Sequence, residues 1–242
     1  MKIKTVTITG ADSRIDIDHL MFLSEKYRFV EWGILFSPSR QGSSRYPNML
    51  WVEDLILRTM SNSQRRKIQP NLSAHLCGDY TREYITTGRM DMAFANLRDV
   101  MFGKTFSRFQ LNFNSTKYPV CKEFYESLER MGTTIILQHN QANHDMCEKV
   151  ITEIKNRNIH FLYDGSGGRG VAPDQWKTPV KNHFTGYAGG LNPDNLEEQL
   201  IKINEVVGDG EIWIDAETGL RTDEELDLKK VIKFLEIASK YQ

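Results

Sequence analysis

Apolar residues come in short bursts along this chain, and their spacing changes from burst to burst. Residues 3–9 (IKTVTIT) read as a strand, and from about Asp16 the apolar positions Ile17, Leu20, Met21 and Leu23 move to helical spacing. Residues 30–36 (VEWGILF) are too uniformly apolar to have a wet face, which predicts a strand covered on both sides, and a helix near 49–60 follows it. A third strand is expected at 71–77 (NLSAHLC), and the long connection 79–106 has room for one or two helices. The fourth strand is 108–113 (RFQLNF), followed by a helix over about 119–131 that spaces Val120, Phe124, Leu128 and Met131 helically. The fifth is 133–139 (TTIILQH), with Met146, Val150, Ile151 and Ile154 marking the next helix. The sixth is 160–164 (HFLYD), with a short helix near Pro173 to Trp176, and the seventh is 183–188 (HFTGYA). Asn192 as N-cap and Pro193 at the first position open a further helix. The eighth strand is 211–216 (EIWIDA), and Thr222 with Glu225 forms a capping box for a last helix striped by Leu228, Val231, Ile232 and Leu235.

Strands alternating with helices require a parallel sheet with right-handed crossovers. Eight such units in 242 residues, near the ~250 usual for a closed barrel, predict an α/β fold, a single (β/α)8 TIM barrel with parallel strands. No linker, low-complexity tract or composition shift divides the chain, so residues 1–242 are expected to form one domain. In a closed barrel every strand's C-terminal end opens on the same mouth, where active sites lie.

Composition narrows the partner more than the fold. Charged residues are 26% and the net charge is −1, so nothing predicts a nucleic-acid or membrane surface, and a small molecule is the expected partner. The basic run Arg65, Arg66, Lys67 follows Ser61, Asn62 and Ser63 and reads as a solvated loop. Cys77, Cys121 and Cys147 are odd in number and without C-x-x-C spacing, which argues against a disulfide framework and a cysteine-built zinc site and fits a reducing, cytoplasmic setting. Neither an apolar signal core nor an 18-residue apolar run is present.

The chemistry is expected at the strand ends. Gly189 and Gly190 stand immediately before a helix start, where backbone N–H groups and the helix dipole favour a phosphate or other anion, and Thr218 with Gly219 holds the corresponding place after the eighth strand. A tight strand-to-helix turn would also call for paired glycines; the second loop tips the balance, because barrels often bind phosphate after strands seven and eight. Polar residues at the other ends are Thr9, Asp12, Arg40, Arg45, His75, Cys77, Asn112, Gln138, His139, Asn140, Asp164 and Glu217. Alternation lets only about half of each strand's set face inward. His75 and Cys77 share a strand face and with His139 and Asp164 suggest a metal set, but the spacing matches no metal motif, so neither a metal site nor a cofactor is expected.

Several of these segments resemble phosphoribosylanthranilate isomerase, a tryptophan-pathway barrel. FLYDGSGGRGVAPDQW is similar to that family's sixth-strand segment, YAGGLNPDNL to its Gly-Gly-Leu-Asn-Pro signature, and IDAETGLR to its eighth-strand Asp-x-Ser-Ser-Gly. SSRYP resembles its Ser-x-Arg-Tyr element and FQLN its Gln-Leu-His strand. The family isomerises a phosphoribosyl amine by an Amadori rearrangement with an aspartate acid, a cysteine base and a nearby arginine. The resemblance implies Asp164 as general acid, Arg45 as the arginine, and Gly168, Gly189, Gly190, Thr218 and Gly219 around a phosphate. The family's Lys-Ile-Cys-Gly is Thr7-Ile8-Thr9-Gly10 here, so the base is missing, a change worth about 10²- to 10⁴-fold in rate. Strand four ends in Asn112 where the family has histidine, and Arg40 is an additional guanidinium.

The expectation is therefore a divergent barrel that binds a phosphorylated sugar or phosphoribosyl compound and performs isomerase-type acid/base chemistry. Asp164 would be the acid, with Asp12, Cys77 or His75 as base, and Arg45, Arg40, Asn112 and His139 would hold the substrate. Two alternatives stand beside it: a non-catalytic phosphometabolite-binding barrel, and metal-assisted lyase or hydrolase chemistry through His75, Cys77 and His139.

Overall fold

The computed structural model describes residues 1–64, 69–89, 105–165 and 170–242, and in it eight parallel strands close into one barrel in sequence order. The strands are β1 Lys2–Thr9, β2 Val30–Phe36, β3 Asn71–Leu76, β4 Phe106–Leu111, β5 Thr134–His139, β6 Ile159–Asp164, β7 Thr185–Ala188 and β8 Glu211–Ala216. Closure is made by β8 pairing with β1, with Val6 opposite Ile214 and Thr7 opposite Asp215. Seven α-helices among the described residues alternate with the strands: α1 Ile17–Lys26, α2 Met49–Gln64, α3 Asp79–Thr87, α4 Lys122–Arg130, α5 His144–Glu153, α6 Leu196–Val207 and α7 Leu228–Ala238. The basic run at 65–67 and part of the long connection before β4 lie outside the described residues.

The core has two compartments, divided by strand alternation. Outward strand residues such as Ile8, Trp32, Ile34, Leu137 and Ile214 pack with Leu20, Val52, Phe124, Val150, Leu200 and Phe234 from the helices. Inside the barrel the packing is partly apolar, from Ile136, Leu162, Ala188 and Trp213, and partly ionic. Arg108 donates from Nε and Nη2 to the Glu31 carboxylate at 2.9 and 2.5 Å, and Thr7 donates to the same group at 2.9 Å. The Arg108 guanidinium lies 4.6 Å from the Trp213 ring. Gly186 makes room for that indole, since a Cβ there would sit 2.1 Å from Trp213 Cε2.

Local differences from the sequence reading have identifiable causes. Thr222 and Glu225 form no capping box: they pair across a two-residue antiparallel ribbon, and Asp227 caps α7 by accepting from the N–H groups of Lys229 and Lys230. Thr222 instead donates to the Asp227 carboxylate at 2.8 Å. Residues 173–176 are not helical, and β7 begins at Thr185 rather than at 183. Asn192 does cap its turn, accepting from the N–H groups of Asp194 and Asn195 at 2.9 and 3.2 Å, although the regular helix starts only at Leu196. Among the described residues no helix is long and apolar enough to cross a membrane.

Candidate active site

A cavity of about 1060 Å³ opens at the C-terminal mouth, and its walls are mostly polar. Inward positions of six strands or their ends reach it: Thr9, His75, Gln110 with Asn112, Gln138, Asp164 and Asp215. Asp164 is in register with Ala188, and Ala188 with Asp215. The two carboxyls therefore flank Ala188 on neighbouring strands, with backbones separated by two strand spacings, roughly 10 Å.

Asp215 is the chemically distinctive member. Its side chain is buried, and Thr9 Oγ1 donates to its Oδ1 at 2.8 Å. Burial pushes the Asp215 carboxyl up to about 8, the Thr9 hydrogen bond opposes the rise, and the neighbouring negative charges of Glu217, Glu31 and Asp164 add to it. Such a carboxyl holds its proton at neutral pH, and with Oδ1 taken by Thr9 the proton belongs on Oδ2. His75 lines the same cavity, with Nε2 3.1 Å from Ser73 Oγ, and burial lowers its imidazole to about 4 despite the attraction of Glu31. Gly33 leaves the space these groups occupy: a Cβ there would be 2.5 Å from Thr9 Oγ1 and 2.9 Å from the His75 ring.

The glycine loops follow β7 and β8 and meet at the mouth beside the two carboxyls. Gly189, Gly190, Thr218 and Gly219 all border the cavity, and Gly189 and Gly190 have φ of 107° and 65°. A Cβ on Gly190 would lie 2.2 Å from the Ala172 nitrogen, and one on Gly219 would lie 2.2 Å from the Leu191 oxygen. Close backbone approach thus fixes glycine at both places with or without a ligand. Gly168 lies outside the described residues. Lys117 and Arg82 bring positive charge to the rim, 5.3 and 5.7 Å from the Tyr118 ring.

Five expected site residues do not line this cavity. Asp12 is buried off the cavity and accepts five hydrogen bonds, from Arg14 N, Nε and Nη2, Arg45 N and Arg221 Nη2. Burial alone would raise its carboxyl, but the bonds from Arg14 and Arg45 hold it down at about 2, so at neutral pH it is an anion whose oxygens are already engaged by these partners. Cys77 sits behind Asn112, which donates to its sulfur at 3.3 Å, and burial raises the thiol, which therefore stays protonated at neutral pH. Arg40 is exposed and lies over the Tyr46 ring. Arg45, with φ of 73°, reaches the rim from outside, donating to Glu217 at 2.9 Å and Thr218 Oγ1 at 3.4 Å. His139 faces away from His75, toward α5, so the metal set of His75, Cys77 and His139 is not assembled. Burial lowers its imidazole to about 4, with Lys177 and His144 adding to the drop.

Fold and site together define a (β/α)8 barrel with a broad polar mouth, an acidic pair on its floor and glycine loops at its rim. No family model matches the chain, and no curated protein does. Among solved structures it is similar to monomers of phosphoribosylanthranilate isomerase from Thermotoga maritima, at a TM-score of 0.58 and 14% identity over 97% of this chain and 98% of that one. The isomerase from Thermococcus kodakaraensis gives 0.56 and 14% over 97% and 98%, and that from Pyrococcus furiosus 0.54 and 15% over 98% and 98%. The chain therefore has a divergent form of that barrel, and at such identity the likeness is one of fold.

Proposed function

We propose that the mouth binds a phosphorylated sugar or phosphoribosyl compound and that Asp215 and Asp164 exchange protons with it in an isomerase-type reaction. The observation that carries this reading is the buried, proton-holding Asp215 carboxyl in register with a second carboxyl on the wall of one cavity. Environments that separate the roles of two acidic groups are how proton-transfer sites divide acid from base. Asp215 gives a proton to a substrate oxygen or nitrogen while Asp164 takes one from a neighbouring atom, so the substrate's composition is unchanged; Asp164 then passes its proton to solvent and Asp215 takes one up, which resets the pair. Thr9, where the resembled family has its cysteine, then serves by holding Oδ1 of Asp215. The rim glycines after β7 and β8 suit the phosphate end of such a molecule.

The test is turnover of a panel of phosphorylated aldoses and aminosugars by the wild type, Asp215→Asn and Asp164→Asn, with binding followed by calorimetry. Each substitution should lower kcat by about 10²- to 10⁴-fold with KM little changed. For the wild type, kcat/KM should fall as pH rises through about 8, where Asp215 loses its proton. Equal turnover in all three proteins removes both carboxyls from the mechanism. Saturable binding without product from any member of the panel would make the barrel a binding protein.

A further inference from the structure

We infer that His139, His144 and Glu148 form a binding site for a divalent transition-metal ion of the zinc class, separate from the barrel mouth. Among the described residues these three offer donor atoms that face one another. His139 Nε2 is 3.1 Å from His144 Nδ1 and 3.6 Å from Glu148 Oε1, and His144 Nδ1 is 4.0 Å from the same oxygen. The circle through the corners of that triangle, its radius being the product of the edges over four times the area, has a radius of about 2.1 Å. Zinc–nitrogen and zinc–carboxylate bonds have that length, so one ion reaches all three donors with shifts of a few tenths of an ångström.

The sequence makes this arrangement cheap to build. His139 ends β5 with its imidazole buried, and α5 starts at His144, placing Glu148 one turn further on the same face. The two imidazoles are nearly coplanar, with 18° between rings and centroids 5.4 Å apart, so their nitrogens point at each other through one hydrogen bond. An ion replaces that bond, and the rings turn to meet it. His144 and Glu148 can do so because their side chains are about half exposed, at 52% and 50%. His139 is steadied by the Tyr163 ring at 5.0 Å.

Two imidazoles and one carboxylate suit zinc, cobalt, nickel, copper or ferrous iron better than magnesium or calcium, which prefer all-oxygen sets. Three protein ligands leave a fourth position for water or a donor group. Both histidines line a second cavity of about 430 Å³, walled by Tyr163, Pro173, Trp176 and Lys177, which gives that position an approach.

The experiment uses the full, untagged chain after chelator treatment, titrated with cobalt(II) and then zinc(II) by calorimetry and visible absorption. One equivalent should bind, with a cobalt d–d band that zinc abolishes. His144→Ala and Glu148→Ala change exposed side chains, so both should stay folded by circular dichroism. Each should weaken binding by more than the ~10- to 100-fold expected for losing an outer-sphere partner. Absence of saturable binding overturns the proposal, and so does equal affinity in wild type and both variants. Neither outcome depends on turnover at the barrel mouth.

Discussion

Replacing Asp215 by Asn should make the protein more stable at neutral pH and leave it nearly unchanged in acid. The amide keeps the carboxyl's shape, and its oxygen can still accept the Thr9 hydroxyl that lies 2.8 Å from Oδ1. In the folded chain the carboxyl titrates near about 8, against 3.8 for the ordinary group. Because the folded value is the higher one, the native state is favoured most below the unfolded value, where both states carry the proton. Stability is then lost as pH rises from about 4 to about 8 and levels off above. At ~1.4 kcal/mol per pKa unit, the full cost is about 4 kcal/mol at pH 7 and between about 5 and 6 above pH 8. Relaxation around the charged form lowers this, so a measured gain of roughly 2–4 kcal/mol at pH 7 is expected. Urea unfolding of wild type and Asp215→Asn near pH 4.5, 7 and 9 reads the difference directly, and the gap should widen with pH and then flatten. A gap independent of pH, or a variant less stable than wild type near pH 9, would refute the assignment of a strained, proton-holding carboxyl.

Other substitutions test the neighbouring assignments. Asp12→Asn should cost about 2–3 kcal/mol at pH 7, because a carboxyl held down at about 2 contributes stability that is present above about 4 and disappears as pH falls toward 2. Acid unfolding followed by circular dichroism should show the two proteins converging, and a surviving kcat would separate Asp12 from the proton-transfer pair. Glu31→Gln leaves the Arg108 guanidinium buried beside a neutral group and should cost about 3–5 kcal/mol in a denaturant titration, with an apolar replacement of both partners costing much less. Gly186→Ala drives a methyl to 2.1 Å from the Trp213 ring and should destabilise by at least about 1–3 kcal/mol in the same assay.

The barrel is legible in the sequence because each strand is a local event: VEWGILF is buried at all seven positions, as its uniform apolarity requires of a strand covered on both faces. Helix starts are less so, since a cap is chosen by competition. Thr222 with Glu225 satisfies the capping-box spacing, yet Asp223 and Glu224 take left-handed φ of 48° and 62° and turn the chain into a ribbon. Asp227, nearer the helix, then captures the free N–H groups of Lys229 and Lys230. Nothing in the spacing alone ranks one capping residue above the other.

At the mouth, proximity along the chain is a poorer guide than strand parity. Gln138 and Asn140 border the main cavity, whereas His139 between them turns outward to α5. The same alternation puts Asp215 on the face of Glu217, so the eighth-strand carboxyl was readable from the strand assignment once the inward parity was fixed. Its proton affinity was not. That depends on Thr9, 206 positions away, and on the negative charges of Glu217, Glu31 and Asp164, which converge only when β8 closes on β1. A threonine at position 9 cannot take up a proton at neutral pH, but its hydroxyl donates to Oδ1 of the Asp215 carboxyl, so the first and eighth strands meet in one hydrogen-bonded pair on the wall of the cavity.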